Sequence, residues 1–254
     1  MIKKIREGQP RRGIYLLPNL FTTAALFSGF YAIVAAMDHR FEAAAMAIFI
    51  AMLLDGIDGR VARLTNTQSD FGAEYDSLAD MVSFGIAPAL VMYEWTLLSL
   101  GKLGWLAAFI YTAGAALRLA RFNTQVATAD KNYFQGLPSP SAAAIIAGMV
   151  WLGESHLPAD RLVSGVSLIL TVWAGVLMVS NFRYYSFKGI NWKGKVPFVF
   201  MLLMVLILVL VSSNPPLMLF SGFLIYSVSG IAMTLVQMRK RRAERRAQRN
   251  NAEP

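Results

Sequence analysis

The sequence predicts an all-α fold: a polytopic integral membrane bundle of about eight transmembrane helices. Three observations carry that expectation. Of 254 residues, 56% are hydrophobic and only 15% are charged, against roughly 25% charged in soluble globular domains. Mean hydropathy over the chain is +0.48. Apolar runs close to the ~20 residues that cross a bilayer recur from one end to the other. No repeat or low-complexity tract divides them, so residues 1–254 read as a single membrane domain. The chain has no cysteine, which excludes disulfides and thiolate chemistry.

Taken in order, the first helix is expected over Leu20–Met37, with Gly29, Ala32, Ala35 and Ala36 as the small residues that let helices pack closely in lipid. Basic Met1–Arg12 precedes it, but no Ala-x-Ala-like site follows the first apolar run, so no cleavable signal peptide is expected. The second helix covers Phe41–Leu64 and the third Leu78–Leu100, with Glu94 towards its outer end. The fourth, Leu103–Arg121, carries the small run Ala113-Gly114-Ala115-Ala116. The fifth is short, Ser141–Leu152, and extendable by residues around Pro138. The sixth, seventh and eighth follow at Leu162–Ser180, Val196–Val211 and Leu217–Met238. Trp95, Trp105 and Trp151 fall near span ends, where interfacial aromatics belong.

Charge placement orients the bundle. With loops assigned alternately to two sides, the side holding the N-terminus carries 21 of the 24 Lys and Arg residues and the other side carries Arg40, Lys102 and Arg161. The positive-inside rule makes the basic side cytoplasmic, and an even helix count puts both termini there. A pI of about 9.9 invites a nucleic-acid reading. However, the Arg-rich segment 239–254 follows directly on a membrane helix, where basic residues meet anionic lipid heads. Anionic membrane lipids are therefore the expected partners, and no nucleic acid is.

Four aspartates stand out against this apolar background. Asp55 and Asp58 close the second helix; Asp76 and Asp80 open the third. Carboxylates at lipid depth are costly and mark function by default. Residues three or four apart share a helix face, so each pair forms an acidic edge, and packing the two helices brings four carboxylates into one pocket. Such a pocket is tenable when the carboxylates are protonated or bridged by hard divalent cations, which prefer oxygen ligands. A metal site is the economical reading. Topology puts it at the cytoplasmic end, level with Arg118 and Arg121 at the end of the fourth helix. Gly59 lets a ligand approach the helix backbone, Ala62 keeps that face shallow, and Arg63 offers a fork for phosphate oxygens. His39 and His156 fall in outer loops and receive no role. Asp70 and Glu74 lie off the spacing, Glu74 as a neighbour of the site and Asp70 as a cap or solvent-facing residue.

The aspartates fit the pattern D-x-x-D-G-x-x-A-R-x8-G-x3-D-x3-D at every fixed position. It resembles the signature of the CDP-alcohol phosphotransferases. The resemblance implies that family's fold and a metal-dependent transfer of a phosphatidyl group from a CDP-linked lipid to an alcohol, with release of CMP. It also implies a divalent cofactor, Mg2+ or Mn2+ and two ions, and a homodimer. Carried over by position, Asp55, Asp58 and Asp76 match metal ligands. Asp80 matches the general base, close to or sharing the second ion. Gly59, Ala62, Arg63 and Gly72 match positions that admit and hold the CDP moiety.

Softer motifs are similar to the bacterial-type phosphatidylserine synthase branch of that family: P-N-L-F-T-T from Pro18, D-S-L-A-D-M-V-S-F-G-I-A-P from Asp76, R-L-A-R-F-N from Arg118 and F-Q-G-L-P-S-P from Phe134. The resemblance covers about residues 15–152, with additional helices over 153–238. It implies CDP-diacylglycerol and L-serine as substrates. A zwitterionic acceptor needs a cationic partner for its carboxylate once out of water. Arg118 and Arg121 are the candidates, Asn123 a lesser one, with Asn19 and Ser83 on the same side. Two other readings stand beside this one. A sister transferase acting on glycerol phosphate or inositol phosphate would want more basic residues near the site. A cation transporter would spread its carboxylates across the membrane depth instead of clustering them at one side.

Overall fold

The structure, a computed structural model, describes residues 16–65, 67, 69–125, 133–156, 160–185 and 198–250. Nine α-helices and two short strands make up these residues: α1 (Leu16–Met37), α2 (Phe41–Leu64), α3 (Asp70–Asp80), α4 (Ala87–Trp95), α5 (Lys102–Gln125), β1 (Tyr133–Gln135), α6 (Ser139–His156), α7 (Arg161–Val179), β2 (Arg183–Tyr185), α8 (Phe198–Ser213) and α9 (Pro215–Asn250). The all-α expectation holds, and each of the eight expected segments carries helix. Among the described residues, four helices are long and apolar enough to cross a membrane, at Pro18–Met37, Lys102–Thr124, Arg161–Val179 and Pro215–Arg239, with a shorter apolar stretch at Met201–Ser213. The others fall short for visible reasons: α2 ends in aspartates and arginines, and the third expected span is broken. The expected basic segments before Leu16 and at residues 186–197, with Lys131, lie outside the described residues.

Small side chains set the closest contacts. Ala32, Ala35 and Ala36 of α1 and Ala44, Ala45, Ala47 and Ala51 of α2 are all buried, and the two helices pack as an antiparallel pair. Ser28 donates across that seam to the Ala47 carbonyl at 2.8 Å. The turn between them is closed by His39 in the left-handed region, φ 57°, with the Arg40 amide donating to the Ala35 carbonyl; His39 is thus a turn residue, remote from the aspartates. Helices α5 and α7 cross at Gly114 and Gly175, where a β-carbon on Gly114 would lie 2.5 Å from the Gly175 carbonyl oxygen. At the centre stands α6, buried on every side from Ala142 through Val150. It needs no amphipathic stripe, because it meets protein all round.

The third expected span is not one straight helix. Between α3 and α4, Met81–Ile86 form a π-helical turn, and Leu97–Leu100 close the segment as a 3₁₀ turn. Pro88 explains the first break. It has no amide to offer the carbonyl four residues back, and that carbonyl, of Phe84, instead accepts the buried Tyr111 hydroxyl from α5 at 3.0 Å. The Ala87 amide reaches back five residues to Val82. Two further departures concern shorter stretches. Strands β1 and β2 pair antiparallel, Phe134 opposite Tyr184, and fully buried Tyr184 ties the pair to α9 by donating to the Ser227 carbonyl at 3.0 Å. Helix α6 also starts earlier and runs later than the expected Ser141–Leu152.

Candidate active site

The site forms where α2 ends and α3 begins. Ser69 caps α3, accepting the Gly72 amide at 3.1 Å, and so starts the helix ahead of Asp76 and Asp80. Asp76 and Asp80 then rise along one face, opposite the last turns of α2. Oxygens from Asp55, Asp76 and Asp80 all lie within 4.8 Å of one another, and all three residues are half-buried. The Asp55 and Asp80 carboxyls are within hydrogen-bonding reach of each other. Asp58, expected in the same cluster, sits one turn further on and is 5% exposed. It accepts the Thr22 hydroxyl at 2.8 Å, and Thr22 belongs to the first turns of α1. The acidic edges therefore meet as three clustered carboxylates and a fourth that faces an adjoining cleft.

That cleft, about 430 Å³, is bounded by Asn19, Asp58, Gly59, Ala62, Arg63 and Gly72, all candidates from the sequence, together with Thr22, Thr67 and Asp76. A β-carbon on Gly59 would touch no protein atom. Its bare backbone is thus not forced by a neighbouring helix; what a side chain there would occupy is the cleft. Asp70 lines the same cleft at the start of α3, whereas Glu74 is exposed beside it.

The acceptor candidates separate. Arg118, on α5, lies in electrostatic range of both Asp80 and Asp55 and donates to Ser139, which is fully buried at the head of α6. Arg121 turns away and donates to Asn181 at 3.3 Å. Asn123 pairs with Ser77 at 3.0 Å, fastening α5 to α3. Ser83 is buried and donates to the Ala25 carbonyl at 3.1 Å, with its backbone against Gly29. Asn19 belongs to the cleft wall. Sequence reasoning passed over two supports, Thr22 and Ser139. Their signal was present in the P-N-L-F-T-T and G-L-P-S-P runs, but a hydroxyl's partner is not legible without the fold.

The arrangement suits a hard cation: the donors are all carboxylate oxygens, and three like charges this close need a counter-charge. Beside them lies a polar cleft with an arginine on its rim. The family model for CDP-alcohol phosphatidyltransferases matches residues 15–180. The chain belongs to the CDP-alcohol phosphatidyltransferase family. That family uses a divalent metal, and the three carboxylates are a group that could hold one. Relatives named CDP-diacylglycerol–serine O-phosphatidyltransferase come from distant organisms. One from Helicobacter pylori is 40% identical over 220 residues, 86% of this chain and 92% of its own. One from Mycobacterium tuberculosis is 43% identical over 155 residues, 57% of this chain and 54% of its own. One from Saccharomyces cerevisiae is 38% identical over 154 residues, 55% of each. As a CDP-alcohol phosphatidyltransferase with apolar spanning helices, the chain is an integral membrane enzyme.

Proposed function

We propose that the protein transfers the phosphatidyl group of CDP-diacylglycerol to the hydroxyl of L-serine, giving phosphatidylserine and CMP. One observation carries this reading: the carboxylates of Asp55, Asp76 and Asp80 converge beside a cleft whose wall is Gly59, Ala62 and Arg63. The names of the relatives supply serine as the acceptor.

Asp55, Asp76 and Asp80 would hold the metal, with Asp58 completing a two-ion site for Mg2+ or Mn2+. When bound, such ions neutralise the diphosphate and stabilise departing CMP. The chain's own residues do the rest. Gly59, Ala62 and Gly72 leave room for the nucleotide, and Arg63 grips phosphate oxygens through its planar fork. Asp80 takes the proton from the serine hydroxyl. The serine oxygen bonds to the phosphorus that bears diacylglycerol, the bond from that phosphorus to the bridging oxygen of CMP breaks, and the electron pair leaves with CMP. Arg118 pairs with the serine carboxylate from a guanidinium already held by Ser139.

The reading extends to the whole chain as a single membrane domain, in the cell membrane, with the site and both termini cytoplasmic. The basic tail lies against anionic lipid, and the enzyme works as a homodimer. Purified protein given CDP-diacylglycerol, Mg2+ or Mn2+ and labelled serine, glycerol phosphate or inositol phosphate singly tests the substrate. Labelled lipid and CMP are expected with serine; label from another alcohol and none from serine overturns the acceptor.

A further inference from the structure

The joint between the strand pair and α9 reaches the acceptor side of the site. Fully buried Tyr184 of β2 is clasped by α9 at positions one turn apart. Its ring packs against Tyr226 with centroids 5.5 Å apart, and a β-carbon on Gly230 would run into that same ring. Its hydroxyl donates to the Ser227 carbonyl at 3.0 Å. The Tyr226 hydroxyl in turn donates to the Tyr185 carbonyl at 3.2 Å, and the Arg183 amide donates to Thr234 at 2.9 Å. The rotation and height of α9 are therefore fixed around Tyr226. The same strand pair leads into α6. After β1 the Gly136 amide donates to the Phe182 carbonyl and the Leu137 amide to the Leu177 carbonyl. Ser139, which accepts from Arg118, follows two residues on. Tyr226 and Ser139 thus belong to one hydrogen-bonded unit, and Arg118 lies in electrostatic range of Tyr226 as it does of Asp80 and Asp55.

A guanidinium offers five N–H donors in a rigid plane, and the acceptors around it decide which edge faces a substrate. Asp55 and Asp80 attract it, but a pairing there would use up its charge. Tyr226 differs from them. Its proton is committed to Tyr185, so its oxygen is left as an acceptor, and a neutral acceptor orients a cation without cancelling its charge. We propose that Tyr226 is a positioning residue for the acceptor alcohol: together with Ser139 it holds the Arg118 guanidinium so that the remaining fork meets the serine carboxylate. Helix α9 then serves the choice of alcohol, although it lies beyond the residues matched by the family model. The inference rests on Arg118 being the partner of the serine carboxylate.

Full-length enzyme carrying Tyr226→Phe tests this, with Tyr184→Phe as the control from the same joint and serine and CDP-diacylglycerol varied in turn. Tyr226→Phe should raise the serine KM about three- to tenfold, the scale of one ordinary hydrogen bond, while kcat and the KM for CDP-diacylglycerol move no more than about twofold. Tyr184→Phe, which removes a hydroxyl bonded to Ser227, should leave the serine KM within about twofold of wild type. Equal rises in the serine KM for the two variants would reduce Tyr226 to packing in the joint and overturn the proposal. No rise for Tyr226→Phe, or a rise as large in the KM for CDP-diacylglycerol, overturns it too. The Arg118→Ala background separates the inference from its premise. There Tyr226→Phe should lower kcat/KM for serine by less than about twofold further, because the group it positions is gone. A further loss as large as in the wild-type background overturns the proposal. Arg118→Ala that itself keeps the wild-type serine KM sinks the premise, and this inference with it.

Discussion

In the proposed reaction Asp80 and Arg118 sit at the centre of the chemistry, and their neighbours decide what each substitution does. Asp55, Asp76 and Asp80 crowd three carboxylates within 4.8 Å, so Asp→Asn at any of them removes a ligand and leaves the remainder mismatched. Each variant should lose at least about 10²-fold in transfer rate, and excess chelator should abolish wild-type turnover; full activity in metal-free protein would sink the cation site. Asp58 is held by Thr22 at 2.8 Å. Thr22→Val leaves that buried carboxylate short of a donor, at about 1.5–3 kcal/mol, and CMP release should slow while the fold survives. Arg118 and Arg121 make a sharper pair. Arg118→Ala should raise the serine KM by roughly 30- to 1,000-fold, as expected for loss of one desolvated charge-assisted contact. Arg121→Ala, whose guanidinium is turned to Asn181, should change it little. Ser139→Ala should weaken serine binding by an intermediate amount, because the guanidinium remains and only its support is lost. Steady-state kinetics with serine varied decide all three; equal effects at Arg118 and Arg121 would remove the case for Arg118 as the carboxylate anchor.

At the scale of elements, what was legible followed from period and length. Every expected apolar segment carries a helix, because hydrophobic runs in lipid have few alternatives to helix. The acidic edges were legible too, since spacing of three and four fixes a face before any fold is known. What escaped notice was short and non-local. Strands β1 and β2 have three residues each and are separated by two helices, so neither shows a period of its own. Gly136, just after β1, holds φ 77°, donates its amide to the Phe182 carbonyl at 2.9 Å, and leaves no room for a β-carbon beside the Met178 carbonyl oxygen, 2.2 Å away. Gly136→Ala should therefore destabilise the protein by at least about 1–3 kcal/mol, read as a lower melting temperature in detergent. An unchanged melting temperature would mean that the turn relaxes freely. Likewise Tyr111→Phe should cost about 1–3 kcal/mol by orphaning the buried Phe84 carbonyl.

For the whole molecule, orientation and site are one proposal: with eight spans, 21 of the 24 basic residues would fall on the side where the aspartates lie. Reporter fusions at the C-terminus check it, with fluorescence from a cytoplasm-dependent reporter expected and activity from an export-dependent phosphatase refuting it. The sequence placed the aspartates at one end of the bundle but was silent on how that end is aligned with the rest, and here the π-helical turn at Met81–Ile86 has a consequence. A turn closed by five-residue bonds holds one residue more than an α-helix of equal rise, and each residue advances a helix by about 100°. The aspartates of α3 and the buried Val91 and Met92 of α4 are thus set at angles that a uniform α-helix of this sequence could not give together. The turn acts as a phase adjuster between the chemical end of the bundle and its packed interior. Deleting one residue within Met81–Ile86 would remove the extra residue of the turn and would still allow insertion into the membrane, yet it would swing Asp76 and Asp80 out of register with α2. A chain one residue shorter would then be a well-folded protein with no enzyme in it.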